Sequence, residues 1–429
     1  MQRFTFTVAS SVLHDSKSVD AIFSRYQPLL EAAGGRRIGA IADAPENEPV
    51  FFFVLTGGTE SVVLPQIQEA QLLAKRLPVV LLAHPHQNSL PASLEILAKI
   101  QQDGGEGTIV LVKSDQDEQA MLEIEKLASI FKALIRVRSA AIGAIGEASD
   151  WLVASRHSPE TVKKSWGAAI VPIDFHELQK KIDSIRKEGG ADASYGAAAA
   201  KFLANASFIR ESKPNDIYKS DTIYRAIREI VAERKLDAIT LRCFDLVLLD
   251  QSTGCFALSQ LADEGIDAGC EGDIPAILAL VWMRALTGKP AWMANPADIQ
   301  PTMETSAGRG TMLLAHCTVP RTLLTGYGVR SHFESGLGVA VAGTMPQGPV
   351  TIVRIGGTVL DSVFLAEGTI IASPHEEGLC RTQAVIEMDG SALRELLEKP
   401  LGNHLVVVSG HWADAGRKYL KFAGLAKKS

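Results

Sequence analysis

The sequence predicts an α/β protein with two doubly wound parallel-sheet domains followed by a β-rich, barrel-like carboxy-terminal domain. Over the first 175 residues or so, short and continuously apolar runs alternate with amphipathic helical stretches, which is typical of a parallel sheet covered on both faces. After about Pro320, short β-like segments separated by Gly, Pro and Asp replace that pattern and favour an antiparallel barrel or sandwich. The 429 residues are also too many for one hydrophobic core.

The first predicted domain covers residues 1–175. Its buried strands are the apolar runs at 51–55, 79–82, 108–112 and 141–145, with helices expected at 62–76, 91–102 and 117–138. Ligands of such sheets gather at the carboxyl ends of the strands. Polar loops that include His86 and Trp151 follow two of these strands, so both side chains are candidates for substrate contact, although structural polarity explains His86 equally well.

The second predicted domain covers 176–320 and carries Glu271. It opens with helices at 176–188, 194–206 and 214–235, after which the strand at 237–241 resumes the α/β pattern, and Pro275 suits the first turn of a helix. The third predicted domain covers 321–429 and carries His404. Its expected elements are strands at 338–343, 350–355, 358–365, 368–373, 382–387 and 405–408, and a helix at 391–399.

The bulk composition argues against a polyanionic partner and against a membrane. Net charge is −6 and the sequence pI is about 6.0, so neither nucleic acid nor an anionic bilayer is generally attracted. No apolar stretch approaches the roughly 20 residues that span a bilayer, and the amino terminus alternates like a strand. The five cysteines form no CxxC pair, which disfavours a disulfide framework or a zinc ribbon. We expect a cytoplasmic protein with a small-molecule substrate.

Three polar residues interrupt apolar strand ends and are candidates for a metal site. Glu271 follows one apolar run, His316 closes another and His404 opens a third. Carboxylate oxygen together with imidazole nitrogen suits Mn²⁺, Co²⁺ or Zn²⁺. A lone histidine beside a strand is nevertheless more often a hydrogen-bonded structural residue, and spacing alone leaves that alternative open.

From about Asp237 onward the sequence resembles the L-fucose isomerase and L-arabinose isomerase superfamily, especially its shorter fucose-isomerase-like members. The motifs that carry the resemblance are Gly-Cys-Glu-Gly-Asp at 269–273, Ala-Asn-Pro at 294–296, Ala-His-Cys-Thr-Val-Pro at 315–320, Ser-His-Phe-Glu-Ser-Gly at 331–336, Leu-Cys-Arg-Thr at 379–382 and Gly-Asn-His at 402–404. The amino-terminal half matches more loosely, through residues 146–155.

The resemblance implies a metal-dependent aldose–ketose isomerase that works through an enediolate. Members use a divalent cation, usually Mn²⁺, to chelate the sugar oxygens, while a carboxylate moves a proton between C2 and C1. Glu271 matches the first glutamate ligand and His404 the histidine ligand; His316 matches a histidine near the metal more loosely. The family also implies a homo-oligomer, a trimer or a hexamer, with active sites at subunit boundaries.

One position departs from the family. Where fucose isomerase has an aspartate ligand, this chain has Asn295, whose amide oxygen can bind a metal but cannot act as a base. The second acid or base must then come from elsewhere, and Asp273, Asp298 and Glu304 are the nearby candidates. Asp273 lies in the first turn of a predicted helix, where capping explains it as well.

The family motifs also suggest substrate contacts. His332 and Glu334 alternate along an extended segment and therefore point the same way. Arg381 can neutralise an anionic substituent of the sugar or form a salt bridge within the barrel. Two alternatives to an isomerase remain: a catalytically altered sugar-binding protein of the same fold, and a metal-assisted epimerase or aldol-type enzyme acting on a substituted sugar.

Overall fold

The computed structural model describes residues 3–189, 194–301 and 308–425. The chain forms two compact units, and the first of them combines residues 1–136 with the carboxy-terminal stretch 415–429. The second unit is residues 137–414. None of the helices in the described ranges is long and apolar enough to cross a membrane.

The first unit is built on a five-stranded parallel sheet with the strand order β2-β1-β3-β4-β5. Its elements are β1 (Phe4–Ala9), α1 (Ser16–Ala32), β2 (Gly35–Arg37), β3 (Val50–Val54), α2 (Glu60–Glu69), β4 (Val79–Ala83), α3 (Ser89–Gln102), β5 (Gly107–Leu111) and α4 (Glu118–Ser139), which runs on into the second unit. Every residue of β3 and β4 is buried, as expected for central strands with helices on both faces.

A four-stranded parallel sheet opens the second unit. Its elements are β6 (Ala141–Ile145), α5 (Pro159–Ser165), β7 (Ala169–Ile173), α6 (Phe175–Gly189), α7 (Ala197–Ala204), α8 (Pro214–Glu233), β8 (Ala238–Leu241), α9 (Phe244–Asp250), α10 (Cys255–Asp263), β9 (Asp267–Cys270) and α11 (Ile274–Thr287). The strand order is β7-β6-β8-β9, so the chain reverses direction across the sheet between β6 and β8. The carboxyl ends of strands at such a reversal are where open α/β sheets bind ligands.

The remaining strands form a β-barrel in which six antiparallel strands close on themselves. The barrel region comprises β10 (Ala291–Gln300), β11 (Arg309–His316), β12 (Gly326–Arg330), β13 (Ala340–Thr344), β14 (Gly348–Gly356), β15 (Ser362–Ala372), β16 (Thr382–Asp389), α12 (Gly390–Glu398) and β17 (Leu405–Ser409). Pairing runs β11-β10-β17-β14-β15-β16 and returns from β16 to β11, while β13 and β12 extend from β16. A last helix, Ala413–Ala423, follows the barrel.

The predicted fold class is confirmed: two parallel sheets with helices precede an antiparallel barrel. The predicted boundary after residue 175 would separate β6 and β7 from β8 and β9, with which they share one sheet. The barrel also begins with β10 and β11, which precede Pro320. The division into three domains stays a prediction.

Candidate functional site

Three separate elements bring Glu271, His316 and His404 together. Glu271 directly follows β9, His316 is the last residue of β11, and His404 directly precedes β17. One possible ligand atom from each side chain lies within 4.8 Å of those from the other two, and all three residues are buried. The two imidazole rings lie nearly perpendicular, with centroids 5.6 Å apart. These are the three residues that the sequence put forward as the main metal ligands.

The turn that carries Glu271 has an unusual backbone. Glu271 itself has φ of 62° and Gly272 has φ of 69°, so two consecutive residues adopt the left-handed conformation. A Cβ at Gly272 would lie 2.6 Å from the carbonyl oxygen of Glu147, in the loop that follows β6. The Ser149 N–H of the same loop donates to the Glu271 carbonyl oxygen at 2.8 Å. This close packing holds a strained turn in place, as is common at functional sites.

The carboxylate of Glu271 is oriented by a tryptophan. Trp151 donates its indole Nε1–H to Oε2 at 2.6 Å, and its ring packs edge-on against Phe244 with centroids 4.8 Å apart. The other carboxylate oxygen, Oε1, lies 3.5 Å from Nε2 of His404. The sequence suggested Trp151 as a substrate contact, which stays a prediction; in the structure its indole holds Glu271.

His404 is oriented by a buried carboxylate. Its Nδ1–H donates to Oδ2 of Asp273 at 2.9 Å, so in the neutral ring the lone pair is on Nε2. Nε2 is fully buried and has no hydrogen-bond partner among the described residues, because Glu271 is too distant for a good hydrogen bond. A buried polar atom without a partner is costly unless something binds it. Histidines that bind metals typically donate their other ring N–H to a carboxylate in this way, so the residues fit a divalent cation.

Arg354 on β14 completes this buried network. Its Nη1–H donates to Oδ2 of Asp273 at 2.9 Å and its Nη2–H to Oγ of Ser155 at 2.6 Å. Gly402 makes room for the guanidinium, with which any side chain at that position would collide. Asp273 also accepts from the N–H of Ala276 at 2.9 Å and so caps the start of α11.

Burial and neighbouring charges set the protonation states. Burial raises the pKa of the Asp273 carboxyl, but Arg354 and His404 outweigh it and lower the value to about 2. Burial lowers the pKa of His404, yet Asp273 and Glu271 raise it to about 9. Burial opposes ionisation of Glu271 too, and hydrogen bonding and the charge of His404 lower its pKa overall. Both carboxylates are therefore ionised at neutral pH.

His316 behaves differently from His404. Burial, aided by the charge of His404, lowers the pKa of His316 to about 4, so its ring is neutral at pH 7. Its Nδ1 lies 2.8 Å from Oγ1 of Thr318 and also accepts a long hydrogen bond from the Thr318 N–H at 3.4 Å, so a cation bound at Nε2 requires the tautomer in which Nδ1–H donates to Oγ1. An ionised carboxylate and a neutral imidazole are the forms that bind metals.

A cavity of about 530 Å³, including its open mouth, lies against this cluster. The residues that line it are Cys243, Phe244, Val247, Thr253, Cys255, Cys270, Glu271, Asn295, His316, Cys317, His332, Glu334 and Cys380. No lysine or arginine is among these lining residues. Glu271 and Glu334 are the two carboxylates in the set.

Three further predicted site residues line this cavity. Asn295 lies on β10, and its Oδ1 accepts a hydrogen bond from Nδ2 of Asn403 at 3.2 Å. His332 is buried, with Nδ1 3.0 Å from Oγ of Ser335. Glu334 is exposed and also lines the cavity, but residues 333–335 form a turn, so the extended segment expected for His332 and Glu334 is wrong.

Six predicted site residues are not among the lining residues: His404 and Trp151, which contact Glu271, and four others. Asp273 lies behind His404, where its contacts favour a positioning role. Asp298 is exposed on β10, where it accepts from Nε2 of Gln300 at 2.6 Å. Arg381 is buried, donates to the Ser331 carbonyl oxygen and lies 3.7 Å from Glu377. His86 is exposed and belongs to the first unit. Glu304, the other acid or base candidate, lies outside the described residues.

Two features of the site were missing from the sequence-based prediction. Arg354 is a charged residue within the apolar strand Val-Thr-Ile-Val-Arg-Ile, and that interruption was a usable signal. The clustering of all the cysteines around one cavity was the other, and no local pattern reveals it, because the cysteines belong to different elements.

Comparison with known proteins gives distant relatives of one kind. No protein-family model matches the chain. The chain is 22% identical to a sulfoquinovose isomerase of Clostridium sp. (strain MSTE9) over 330 residues, which are 74% of this chain and 70% of that relative. It is 24% identical to a sulfoquinovose isomerase of Alkalicoccus urumqiensis over 251 residues, 56% of this chain and 54% of the relative. A third, from Priestia aryabhattai, is 22% identical over 319 residues, 71% of this chain and 69% of the relative. The chain is thus similar to enzymes named as sugar isomerases, whereas the fucose and arabinose isomerase superfamily stays a prediction.

Proposed function

We propose that this protein is a metal-dependent aldose–ketose isomerase that acts on a monosaccharide or a substituted sugar. The observation that carries the proposal is the buried, unpartnered Nε2 of His404, which faces the carboxylate of Glu271 beside the ring of His316. The names of the distant relatives supply the reaction class.

The metal requirement follows from the donor set. When bound by Glu271, His316 and His404, a divalent cation such as Mn²⁺ would polarise the carbonyl and the adjacent hydroxyl of the sugar. The chain's own residues prepare that site: Trp151 holds one oxygen of Glu271, and Asp273 keeps the Nε2 lone pair of His404 directed at the centre.

Isomerisation also needs a group that moves a proton between C1 and C2 of the sugar. Asp298 is exposed outside the cavity and Asp273 is occupied by Arg354 and His404. The carboxylates that line the cavity, Glu271 and Glu334, are then the candidates for moving the proton. We assign the proton transfer to this pair, with Glu334 taking the part that the amide of Asn295 cannot perform.

The residues that line the cavity indicate the reaction class more narrowly than they indicate the sugar. The relatives are named for sulfoquinovose, a hexose that carries a sulfonate, but no lysine or arginine lines the cavity within the described part of the chain. Arg381 already donates to the Ser331 carbonyl oxygen. Neutral aldoses and sulfoquinovose therefore both belong in the first assay.

The test is to incubate the purified protein with Mn²⁺ and each sugar in D₂O and to follow the sugars by NMR. We expect interconversion of an aldose and its ketose, with solvent deuterium entering the carbon that exchanges its proton. Glu271→Gln should abolish turnover because it removes a charged ligand. Glu387→Gln is the matched control, since Glu387 lies on the barrel strand β16, partly exposed and paired with Arg309.

Two outcomes would contradict the proposal. Full turnover after exhaustive removal of divalent cations would exclude the metal-dependent reaction. Tight binding of a sugar without turnover of any, in the presence of Mn²⁺, would favour a catalytically altered sugar-binding protein, and conversion to an epimer instead of a ketose would favour an epimerase.

A further inference from the structure

All five cysteines of the chain line the cavity next to the candidate metal ligands. They are Cys243, Cys255, Cys270, Cys317 and Cys380, and each lies at or within two residues of the start or end of a different element. Buried cysteines in a protein core usually act as small apolar side chains. A cavity that opens to solvent gives these thiols a route to small reactive molecules that thiols inside a closed core lack.

Two of the five are already in contact. Cys270 is the last residue of β9, and Cys243 lies two residues beyond the end of β8, the neighbouring parallel strand. Leu241 pairs with Cys270 in the sheet register, so the two cysteines are held at the same edge of the sheet. Their sulfur atoms are 2.9 Å apart, and a disulfide bond needs about 2.0 Å, so an approach of roughly 1 Å would join them.

The other three cysteines form a separate group. Cys317 contacts both Cys255 and Cys380, while Cys243 and Cys270 contact each other. The second group provides an internal comparison, because its thiols line the same cavity and are exposed to the same small molecules.

We propose that Cys243 and Cys270 are a redox modification site, at which hydrogen peroxide that enters the cavity converts the two thiols into a reversible disulfide. The sulfur of one cysteine attacks the peroxide, the O–O bond breaks, and a sulfenic acid and one water molecule form. The sulfur of the other cysteine then displaces the hydroxyl group as a second water molecule, and the S–S bond forms. The two thiols lose two hydrogen atoms in total, and the peroxide is reduced to water.

The disulfide acts on the site through the backbone. Cys270 immediately precedes Glu271, whose left-handed turn is packed against the loop after β6. Pulling the Cys270 sulfur toward Cys243 shifts this turn, and with it the carboxylate that Trp151 holds. Displaced supporting contacts of metal sites typically cost tenfold or more in affinity, so the oxidised protein should bind Mn²⁺ roughly tenfold more weakly. The effect on metal binding rests on the proposed function, whereas the formation of the disulfide does not.

The experiment starts with the reduced full-length protein, treats it with hydrogen peroxide, blocks the remaining thiols by alkylation and maps the peptides by mass spectrometry. We expect a cross-linked peptide that contains Cys243 and Cys270, lost again on treatment with dithiothreitol. Cys243→Ala should abolish this cross-link. Cys380→Ala, the matched cavity-lining control, should retain it. A cross-link of Cys317 with Cys255 or Cys380 in place of this one, or sulfinic acids alone, would overturn the assignment.

Calorimetric titration of Mn²⁺ into the reduced and oxidised proteins tests the consequence. Equal affinities with the Cys243–Cys270 disulfide formed would overturn the coupling to Glu271. If the reduced protein does not bind Mn²⁺ at all, the proposed function fails while the peptide map still decides whether the modification site exists.

Discussion

Replacing Arg354 by methionine tests whether the buried network supports both the fold and the site. Arg354 is 1% exposed and Asp273 is fully buried, and the ion pair between them is 2.9 Å long. In Arg354→Met a side chain of similar reach stays in the barrel, but the charge and its donors disappear. The Asp273 carboxylate would keep only the Ala276 N–H and the His404 ring as partners.

The expected loss of stability is large. Breaking a buried ion pair by removing one partner typically costs about 3–5 kcal/mol, because the other charge stays buried without compensation. Without a bound cation, His404, with a pKa raised to about 9, carries a second proton at neutral pH and offsets part of the charge of Asp273; a metal at Nε2 would take the place of that proton. We therefore expect a value near the lower end, about 3 kcal/mol. The Asp273–His404 contact should also become less rigid, which should weaken Mn²⁺ binding roughly tenfold to a hundredfold.

Urea unfolding followed by tryptophan fluorescence measures the first effect, since Trp282 and Trp292 are fully buried in the same unit as Arg354. Arg309→Met is the matched control: it removes a barrel arginine whose ion pair with Glu387 is largely exposed, and exposed pairs are worth at most about 1 kcal/mol. If Arg354→Met were no less stable than Arg309→Met, the network would be irrelevant to folding. Unchanged Mn²⁺ affinity would refute its role in orienting His404.

Three further predictions concern pH, residue 295 and assembly. Asp273 has a folded-state pKa of about 2 against an unfolded value of about 3.9, so its ionisation stabilises the folded protein above about pH 4. As the pH falls toward 2, the free energy of unfolding should decrease by on the order of 2 kcal/mol. Acid unfolding curves of the parent protein and of Arg354→Met test this, and the variant should lose less stability. Asn295→Asp should tighten Mn²⁺ binding by about 1–3 kcal/mol, or roughly tenfold to a hundredfold, because a charged oxygen replaces an amide oxygen; unchanged affinity in a calorimetric titration would put Asn295 outside the metal site. We expect a homo-oligomer, a trimer or a hexamer, and a fully active monomer in light scattering would contradict that expectation.

The sequence was most informative where the local pattern decides the structure. Apolar runs bounded by loops correspond to β3 and β4, because central parallel strands need apolar side chains on both faces. The run at 108–112 corresponds to β5, which is an edge strand with one buried residue. The local pattern does not show which sheet a strand joins. The run at 141–145 looks like the strands before it, yet β6 pairs with β8 in another sheet, and nothing local in the run encodes that partner.

The same limit applies at the start of the barrel. The first four residues of β10, Ala-Trp-Met-Ala, are buried and apolar and so resemble a parallel strand, but they pair antiparallel with β17. Beyond them the register shifts between Pro296 and Asp298, which accommodates a proline that lacks a ladder donor. Such a strand is recognisable only once its distant partner is known.

Within the candidate site, the sequence predicted the residues that belong to a family motif. It did not predict the residues whose role depends only on long-range packing. Glu271, His316 and His404 lie together as predicted, although their role as ligands stays a prediction. Arg354 matched no motif, and its importance arises from contacts with Asp273 and Ser155, far away in the chain. Long-range contacts of this kind leave only an indirect trace in the sequence, here a charge in an apolar strand.

The charges around the site suggest why an asparagine occupies position 295. Arg354 neutralises Asp273, and histidines bind metals only in their neutral forms, so Glu271 would supply the one uncompensated negative charge among the proposed ligands. A divalent cation bound there would retain about one unit of positive charge, available for the negative charge that develops on the sugar oxygens during isomerisation. An aspartate at position 295 would cancel that surplus. The variant Asn295→Asp should therefore bind Mn²⁺ more tightly and yet turn over more slowly, and a variant that gained in both respects would show that this charge balance does not govern the reaction.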